Sequence, residues 1–179
     1  MTLEVRDGEM EAGGVRVCLM DVAEGFLSLR RSVENALGDV TAILLYNAAF
    51  ASYRGFAAGA IARGEAGRGE AGFRAAVRAY RESGFGGFAI AEIDLGTGHA
   101  AIECDEPVAF EAYGVLKRGD GELRAVCDYT RGALAGLFTE HRGGGEWLCI
   151  ETECKAKGDA RCAFEIGDAR ALTAKLLRG

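Results

Sequence analysis

Clustered cysteines carry the clearest chemical signal in the sequence. Four of the six cysteines, Cys127, Cys149, Cys154 and Cys162, lie in the last third of the chain. The segment from Met1 to Asp7 lacks the apolar core of a signal peptide, so we expect a cytoplasmic protein whose thiols stay reduced. Clustered thiols of this kind indicate a metal site or redox chemistry rather than a disulfide framework.

Two of these cysteines belong to a predicted β-hairpin. The pattern predicts strands over 147–152 and 161–166, joined by a turn at Lys157-Gly158-Asp159. Cys154 lies at the end of the first strand and Cys162 at the start of the second. Both thiols can therefore converge at one end of the hairpin.

Two further residues can complete a four-coordinate site. Glu151 lies three residues before Cys154, and Cys127 lies at the start of a predicted helix, where the helix dipole favours a thiolate. Three thiolates and one carboxylate form a closed donor set that suits a structural zinc ion. The spacing leaves two substitutions open, because Glu153 shares the strand parity of Glu151, and Cys149 on that parity can compete with Cys127.

The elements before this site are predicted to be mainly helical. After a short strand over 14–22, the spacing predicts helices over 23–37, from Asp39 to about Arg63, and over 71–81. The long middle helix has almost no polar face, which predicts burial against other helices or a second subunit. We therefore expect a homodimer formed through this helix.

The second half of the chain changes to a period of two residues. Segments 88–94 and 100–104 flank a glycine-rich turn and predict another hairpin. A helix is predicted over 127–141, where Gly132 and Gly136 share one face and permit close packing. The predicted fold class is α+β, with an antiparallel sheet on which the N-terminal helices pack.

Length and charge limit the remaining possibilities. The length favours a single domain over residues 1–179, with a mainly helical part (1–84), a sheet and zinc-binding part (85–167) and a C-terminal helix (168–179). The net charge is −6, from 21 basic and 27 acidic residues. The basic residues are dispersed, which argues against nucleic acid as a partner. No apolar stretch approaches the ~20 residues of a membrane span.

Aromatic residues are the candidates for an apolar ligand pocket. The five that we select as ligand-binding residues are Phe50, Tyr53, Phe110, Tyr113 and Trp147. No catalytic constellation accompanies them, because His99 and His141 lie in different predicted elements and no serine lies in a nucleophile elbow. Gly96-x-Gly98 lacks the rest of a dinucleotide fingerprint. The sequence thus favours a binding protein over an enzyme.

Several of these residues occur at offsets typical of a known family. The pattern comprises Phe110-Glu111-Ala112, Val126-Cys127, Gly132-x-x-x-Gly136 and Glu151-x-x-Cys154-x-x-x-Gly158-x-x-x-Cys162-x-Phe164. It resembles the vinyl-4-reductase (4-vinyl reductase) domain family over roughly residues 85–167, and Tyr53-x-Gly55-x-x-x-Gly59 is a looser match. The family includes sensor domains of phenol- and xylene-responsive activators. Its fold is similar to the ligand-binding fold of the NO-signalling and Golgi-transport (TRAPP) type.

This resemblance implies a specific metal site and a class of function. Position by position, it implies a zinc ion bound by Cys127, Glu151, Cys154 and Cys162. It also implies a stand-alone, sensor-like domain with an apolar pocket for a hydrocarbon, aromatic or acyl ligand, which passes its signal to a separate protein. The sensors place a tryptophan and a histidine at the phenol hydroxyl, whereas this sequence offers only His99 in the corresponding region.

Two alternative functions accompany the sensor hypothesis. One is an enzyme or accessory factor in the reduction of a tetrapyrrole 4-vinyl group, which requires a redox partner or a bound nucleotide. The other is an interaction or assembly module that holds a lipid permanently in its pocket.

Overall fold

Helices and two antiparallel sheets make up the chain. The structure is a computed structural model, and it describes residues 3–6, 9–12, 15–119 and 124–176. The strands are β1 (Leu3–Arg6), β2 (Glu9–Ala12), β3 (Val15–Val17), β4 (Phe88–Asp94), β5 (His99–Cys104), β6 (Trp147–Glu153) and β7 (Cys162–Asp168). The helices are α1 (Leu27–Leu37), α2 (Val40–Ala62), α3 (Gly69–Tyr80), α4 (Phe110–Arg118), α5 (Asp128–Arg142) and α6 (Ala169–Leu176). The predicted α+β class with an antiparallel sheet is confirmed.

The larger sheet is built from the two predicted hairpins. Its strand order is β4-β5-β7-β6, and all neighbouring strands are antiparallel. Side chains alternate between the two faces of the sheet. On β5 and β7, Ile102, Cys104, Cys162, Phe164 and Ile166 are buried on the core face. This face packs against the helices and thus forms one wall of the core.

Helices α2 and α5 cross at very close range. A Cβ atom on Gly132 would overlap the carbonyl oxygen of Tyr46, and one on Gly136 would overlap that of Phe50. Only glycine allows the two backbones to approach in this way. The close packing predicted for Gly132 and Gly136 is therefore confirmed.

Helix α2 leaves much of its apolar surface uncovered. Its buried residues are Thr41, Ala49 and Ala57, whereas Ile43 is 61% exposed and Leu44 is exposed as well. The sequence predicts burial of this helix against other helices or against a second subunit. Within the residues that the structure describes, the chain itself does not bury this face.

The N-terminal segment differs from the predicted single strand over 14–22. Three short strands, β1 to β3, form a separate antiparallel sheet. A π-helical turn over Val22–Phe26 then leads into α1, and the side chain of Asp21 caps it by accepting the N–H of Glu24. The weak alternation in the sequence therefore extends into what is in fact the start of a helix.

The C-terminal helix lies beside the hairpin that carries the cysteines. Leu172 of α6 is buried, and it packs against Gly167 at the end of β7. No helix among the described residues is long and apolar enough to cross a membrane. The division into parts at residues 84 and 167, and the treatment of the chain as one domain, remain predictions.

Candidate metal centre

Four acidic side chains from different elements meet beneath the β6–β7 hairpin. They are the thiols of Cys127, Cys154 and Cys162 and the carboxylate of Glu151, and one potential ligand atom from each lies within 4.8 Å of the others. The three thiols are fully buried. The Sγ atoms of Cys127 and Cys162 are 4.0 Å apart. The structure thus brings together all four residues predicted as zinc ligands. We call this group the metal cluster.

A tight turn positions two of the thiols. A short 3₁₀ turn over Lys155–Lys157 follows Cys154, whose carbonyl oxygen accepts the N–H of Lys157 at 2.9 Å. The N–H of Cys154 is bonded to the carboxylate of Asp159 at 2.8 Å. The N–H of Lys155 points at the Sγ atom of Cys162, 3.5 Å away. These bonds fold the end of the hairpin so that both sulfurs point inward.

A β-bulge decides between the two glutamates that the spacing left open. Glu151 pairs with Phe164, and Glu153 pairs with the next residue, Ala163, so the register shifts between the two glutamates. Glu151 therefore faces the core, whereas Glu153 lies on the outer face and forms an ion pair with Arg161 at 3.3 Å. Only Glu151 belongs to the metal cluster.

The other open position concerned Cys149. Its side chain is buried, its N–H donates to the hydroxyl of Tyr46 at 3.2 Å, and it is not part of the metal cluster. Cys104 pairs with Cys162 across β5 and β7, but its thiol donates to the carbonyl oxygen of Pro107 at 3.4 Å. Neither thiol takes the place of Cys127.

Glu151 has one satisfied and one unsatisfied oxygen. Its Oε2 atom accepts the N–H of Cys127 at 3.0 Å. Its Oε1 atom is buried and has no hydrogen-bond partner among the described residues. A buried carboxylate oxygen without a partner is costly, and a cation would satisfy it. Together with three buried sulfurs, this oxygen fits a bound metal ion.

The pKa values of the cluster reflect acidic groups crowded away from water. Burial raises the pKa of Glu151 to about 8, and the thiol of Cys154 adds to this effect. Burial also raises the pKa of Cys127 well above its ordinary value. Hydrogen bonds from Cys127 and Cys154 lower the pKa of Cys162 to about 4. Negative charge therefore concentrates on Cys162, and a divalent cation would allow the other groups to release their protons.

A second group of buried side chains lies between the helices. Six aromatic rings, which we call the aromatic cluster, have centroid distances of 4.3 to 6.2 Å to their neighbours: Phe26, Tyr53, Tyr80, Phe85, Phe110 and Tyr129. Tyr80 and Phe85 stack at 4.3 Å. The hydroxyl groups of Tyr80 and Thr130 are 3.5 Å apart. Burial raises the pKa of all three tyrosines, so their hydroxyls stay neutral.

The five residues predicted to bind ligand do not meet in one place. Tyr53 and Phe110 belong to the aromatic cluster, whereas Phe50 packs beside Tyr46 at 6.4 Å. Trp147 packs against Phe138 and under the guanidinium of Arg142. Tyr113 is 45% exposed, and its ring contacts Lys117.

Sequence reasoning did not assign Phe26 and Tyr80 to this cluster. Tyr80 lies on the apolar side of the predicted third helix together with Phe73 and Val77, and this stripe is a signal for burial. Nothing in the spacing indicates which aromatic residues from distant segments meet.

The two histidines also lie apart. His99 lies on the outer face of the sheet between Glu92 and Glu165, at 3.9 and 3.8 Å, within a shallow groove of about 350 Å³. His141 is buried near the end of α5, and its Nδ1 atom is 2.9 Å from the carbonyl oxygen of Gly67. Neither histidine approaches the metal cluster or the aromatic cluster within hydrogen-bonding distance.

Comparison with known proteins supports the resemblance predicted from the sequence. One solved structure with a similar fold is the crystal structure of the phenol-responsive sensory domain of the transcription activator PoxR with phenol. The TM-score is 0.81 at 18% sequence identity, and the alignment covers 98% of this chain and 90% of that chain. No curated protein matches the chain. The predicted resemblance is confirmed by the match of residues 102–168, which contain the whole metal cluster, to the vinyl-4-reductase domain.

Proposed function

We propose that this chain is a sensor-like domain that binds a small apolar molecule and is stabilised by a structural zinc ion. One observation carries this proposal: three buried thiols and a buried carboxylate converge within 4.8 Å in the part of the chain that matches the vinyl-4-reductase domain. The similarity to the PoxR sensory domain supports the same type of fold, and that domain was crystallised with phenol.

Zinc is the metal that best suits the donor set. Thiolates are soft ligands that select zinc over magnesium or calcium, and four donors match its tetrahedral preference. The cluster is buried and supplies four protein ligands, so no position is open for a substrate. The role of the ion is therefore to connect the start of α5 to the β6–β7 hairpin, and its binding free energy contributes to folding.

The aromatic cluster is the part of the chain suited to an apolar ligand. Its rings provide an apolar lining, and the hydroxyls of Tyr53, Tyr80 and Tyr129 provide polar groups that can orient a ligand. Tyr129 follows Cys127 by two residues, so the metal cluster and the aromatic cluster share the start of α5. A change in the packing of the rings would therefore reach the segment that the metal holds.

We propose that the protein acts as a homodimer and transmits its signal to a separate cytoplasmic protein. The exposed large apolar residues on α1 and α2 are Leu29, Leu37, Val40, Ile43 and Leu44. The two helices have 11 and 23 residues, so a face ~10 Å wide along ~50 Å of helix offers ~500 Å². A stable interface buries ~800 Å² per partner, and a patch of this kind usually marks an interface.

Metal content and binding of a probe test the main proposal. Purified protein should contain one zinc per chain, and calorimetry with phenol as the probe should show saturable binding. Phe110→Ala should weaken that binding, whereas Tyr113→Ala, on the exposed side of the same helix, should not. Zinc far below one equivalent, or equal effects of the two variants, would contradict the corresponding part of the proposal.

Light scattering tests the homodimer separately. Ile43→Glu places a charge on the exposed face of α2 and should shift the protein to a monomer. Leu116→Glu introduces the same change at an exposed position on α4 and should leave the dimer intact. A wild-type protein that is monomeric at high concentration would refute this part of the proposal.

A further inference from the structure

Cys127 differs from the other residues of the metal cluster in how the fold holds it. Glu151 and Cys162 lie in paired strands, and Cys154 is fixed by the turn that follows β6. Cys127 comes from residues 124–127, which form neither helix nor strand before α5 begins. Its position therefore depends on contacts that other elements make with this segment.

One buried arginine contacts the residues on both sides of Cys127. Arg30 of α1 is only 4% exposed. Its Nη1 atom donates to the carbonyl oxygen of Val126, and its Nη2 atom donates to the carboxylate of Asp128 at 3.1 Å. Its Nε atom donates to Glu34 at 3.1 Å, which in turn accepts from Arg124 at 2.8 Å. The planar guanidinium thus fixes both neighbours of Cys127 at once.

A buried carboxylate fixes the next two residues. Glu111 of α4 accepts the N–H groups of Tyr129 and Thr130, both at 2.9 Å. These N–H groups lie in the first turn of α5, where backbone donors have no partner within the helix. The Oε1 atom of Glu111 is 3.7 Å from the Nη1 atom of Arg30. Residues 126 and 128–130 are therefore all bound by two side chains from outside the segment.

The contacts of Arg30 fit a role at the metal cluster better than a general role in attaching α1. Arg118 of α4 also connects this part of the chain to the body, through Glu24 at 3.0 Å and Ser28 at 2.8 Å, and neither of these contacts involves residues 124–130. Burying a guanidinium is costly unless each partner is well placed. The buried arginine is the one whose partners flank a cluster residue.

We infer that Arg30 is a positioning residue of the metal cluster, which holds residues 126–128 so that the thiol of Cys127 faces Glu151, Cys154 and Cys162. This inference rests on the proposed metal site. Because binding linkage is reciprocal, metal binding must stabilise the docking of α1 as much as the docking of α1 strengthens metal binding. Occupancy of the cluster is thereby coupled to the helix that bears part of the exposed apolar face.

Metal titration of variants tests the inference. Co²⁺ is the probe for absorption spectra, which report thiolate coordination, and competition with a chelator gives the affinity for Zn²⁺. Arg30→Met retains the apolar stem and should lower zinc affinity about 10- to 100-fold, as is usual when a residue that orients a ligand is lost. Arg118→Met, the matched control, should change the affinity less than about threefold by the same reasoning.

Two further measurements keep the outcomes distinct. Arg30→Lys, which retains the charge but loses the fork, should fold even where Arg30→Met does not, and should also bind zinc more weakly than wild type. Hydrogen exchange of the α1 amides should slow when zinc is added to wild type, and this slowing should be smaller in the Arg30 variants. Such an effect would not arise if Arg30 only attached the helix.

The results separate this inference from the proposed function. A wild-type protein that binds neither Co²⁺ nor Zn²⁺ would refute the metal site itself and the inference with it. A wild type that binds zinc, together with Arg30→Lys and Arg30→Met variants of unchanged affinity, would refute only the role of Arg30. Weaker binding in the Arg30 variants with normal binding in Arg118→Met would support it.

Discussion

The metal cluster predicts different effects for two cysteines on the same hairpin. Cys149 and Cys154 are both buried, at 2% and 0% exposure, and only Cys154 belongs to the cluster. Replacing either by alanine removes one buried sulfur and leaves a similar small cavity, which costs about 1 kcal/mol. In the absence of metal, Cys149→Ala and Cys154→Ala should therefore lose similar stability.

Zinc should separate the two variants. Structural zinc contributes roughly 10–16 kcal/mol of apparent binding free energy, so one of four ligands accounts for about 3 kcal/mol. For a chain of this size, each kcal/mol shifts Tm by about 2–4 °C. With one equivalent of zinc, Cys154→Ala should therefore melt about 6–12 °C below Cys149→Ala, from the same two relations.

Thermal unfolding followed by circular dichroism, with zinc and with a chelator, measures this difference. The expected pattern is a large gap between the variants in zinc and a gap close to zero in chelator. Equal melting temperatures under both conditions would refute the assignment of Cys154 as a ligand. A gap that persists in chelator would mean that Cys154 acts through packing alone.

Three further predictions follow from the described contacts. Glu151→Gln should weaken Co²⁺ binding at least tenfold and Glu153→Gln should not, because the bulge places only the former in the metal cluster; equal effects in the cobalt titration would contradict this placement. Gly132→Ala should cost about 1–3 kcal/mol in urea unfolding through overlap with α2, whereas Gly114→Ala, where a Cβ meets only ordinary contacts, should not destabilise. Burial lowers the pKa of His141, so its neutral form favours folding and stability should fall as the pH drops below about 6.5; His141→Asn should lose less stability between pH 7 and 5, and an unchanged pH profile would refute this role.

The metal hairpin was predictable because its signals are local. The turn Lys157-Gly158-Asp159 and the alternation around it predict two strands whose ends carry Cys154 and Cys162, and the structure has these strands as β6 and β7. The ambiguity between Glu151 and Glu153 had a physical cause. Strand parity places both on one face, but a bulge between them reverses the direction of the second, and the sequence does not mark the bulge.

Long-range relationships were less accessible. The exposed position of Tyr113 and the packing of Trp147 against Phe138 depend on which helices meet which strands, and periodicity describes only one element at a time. Arg30 is the clearest example, because its partners lie 96 and 98 positions away in the sequence. In the sequence it is one arginine of an amphipathic helix, and its burial becomes apparent only when α1 docks beside the start of α5.

The segment from Val126 to Thr130 connects the features that matter for function. It supplies a thiol to the metal cluster through Cys127 and a ring to the aromatic cluster through Tyr129. Its backbone and Asp128 are bound by Arg30 and Glu111 from two different helices. A ligand that displaces the ring of Tyr129 must therefore either strain the metal cluster or move α1. Because a closed four-ligand site resists distortion, α1 is the element that we expect to move.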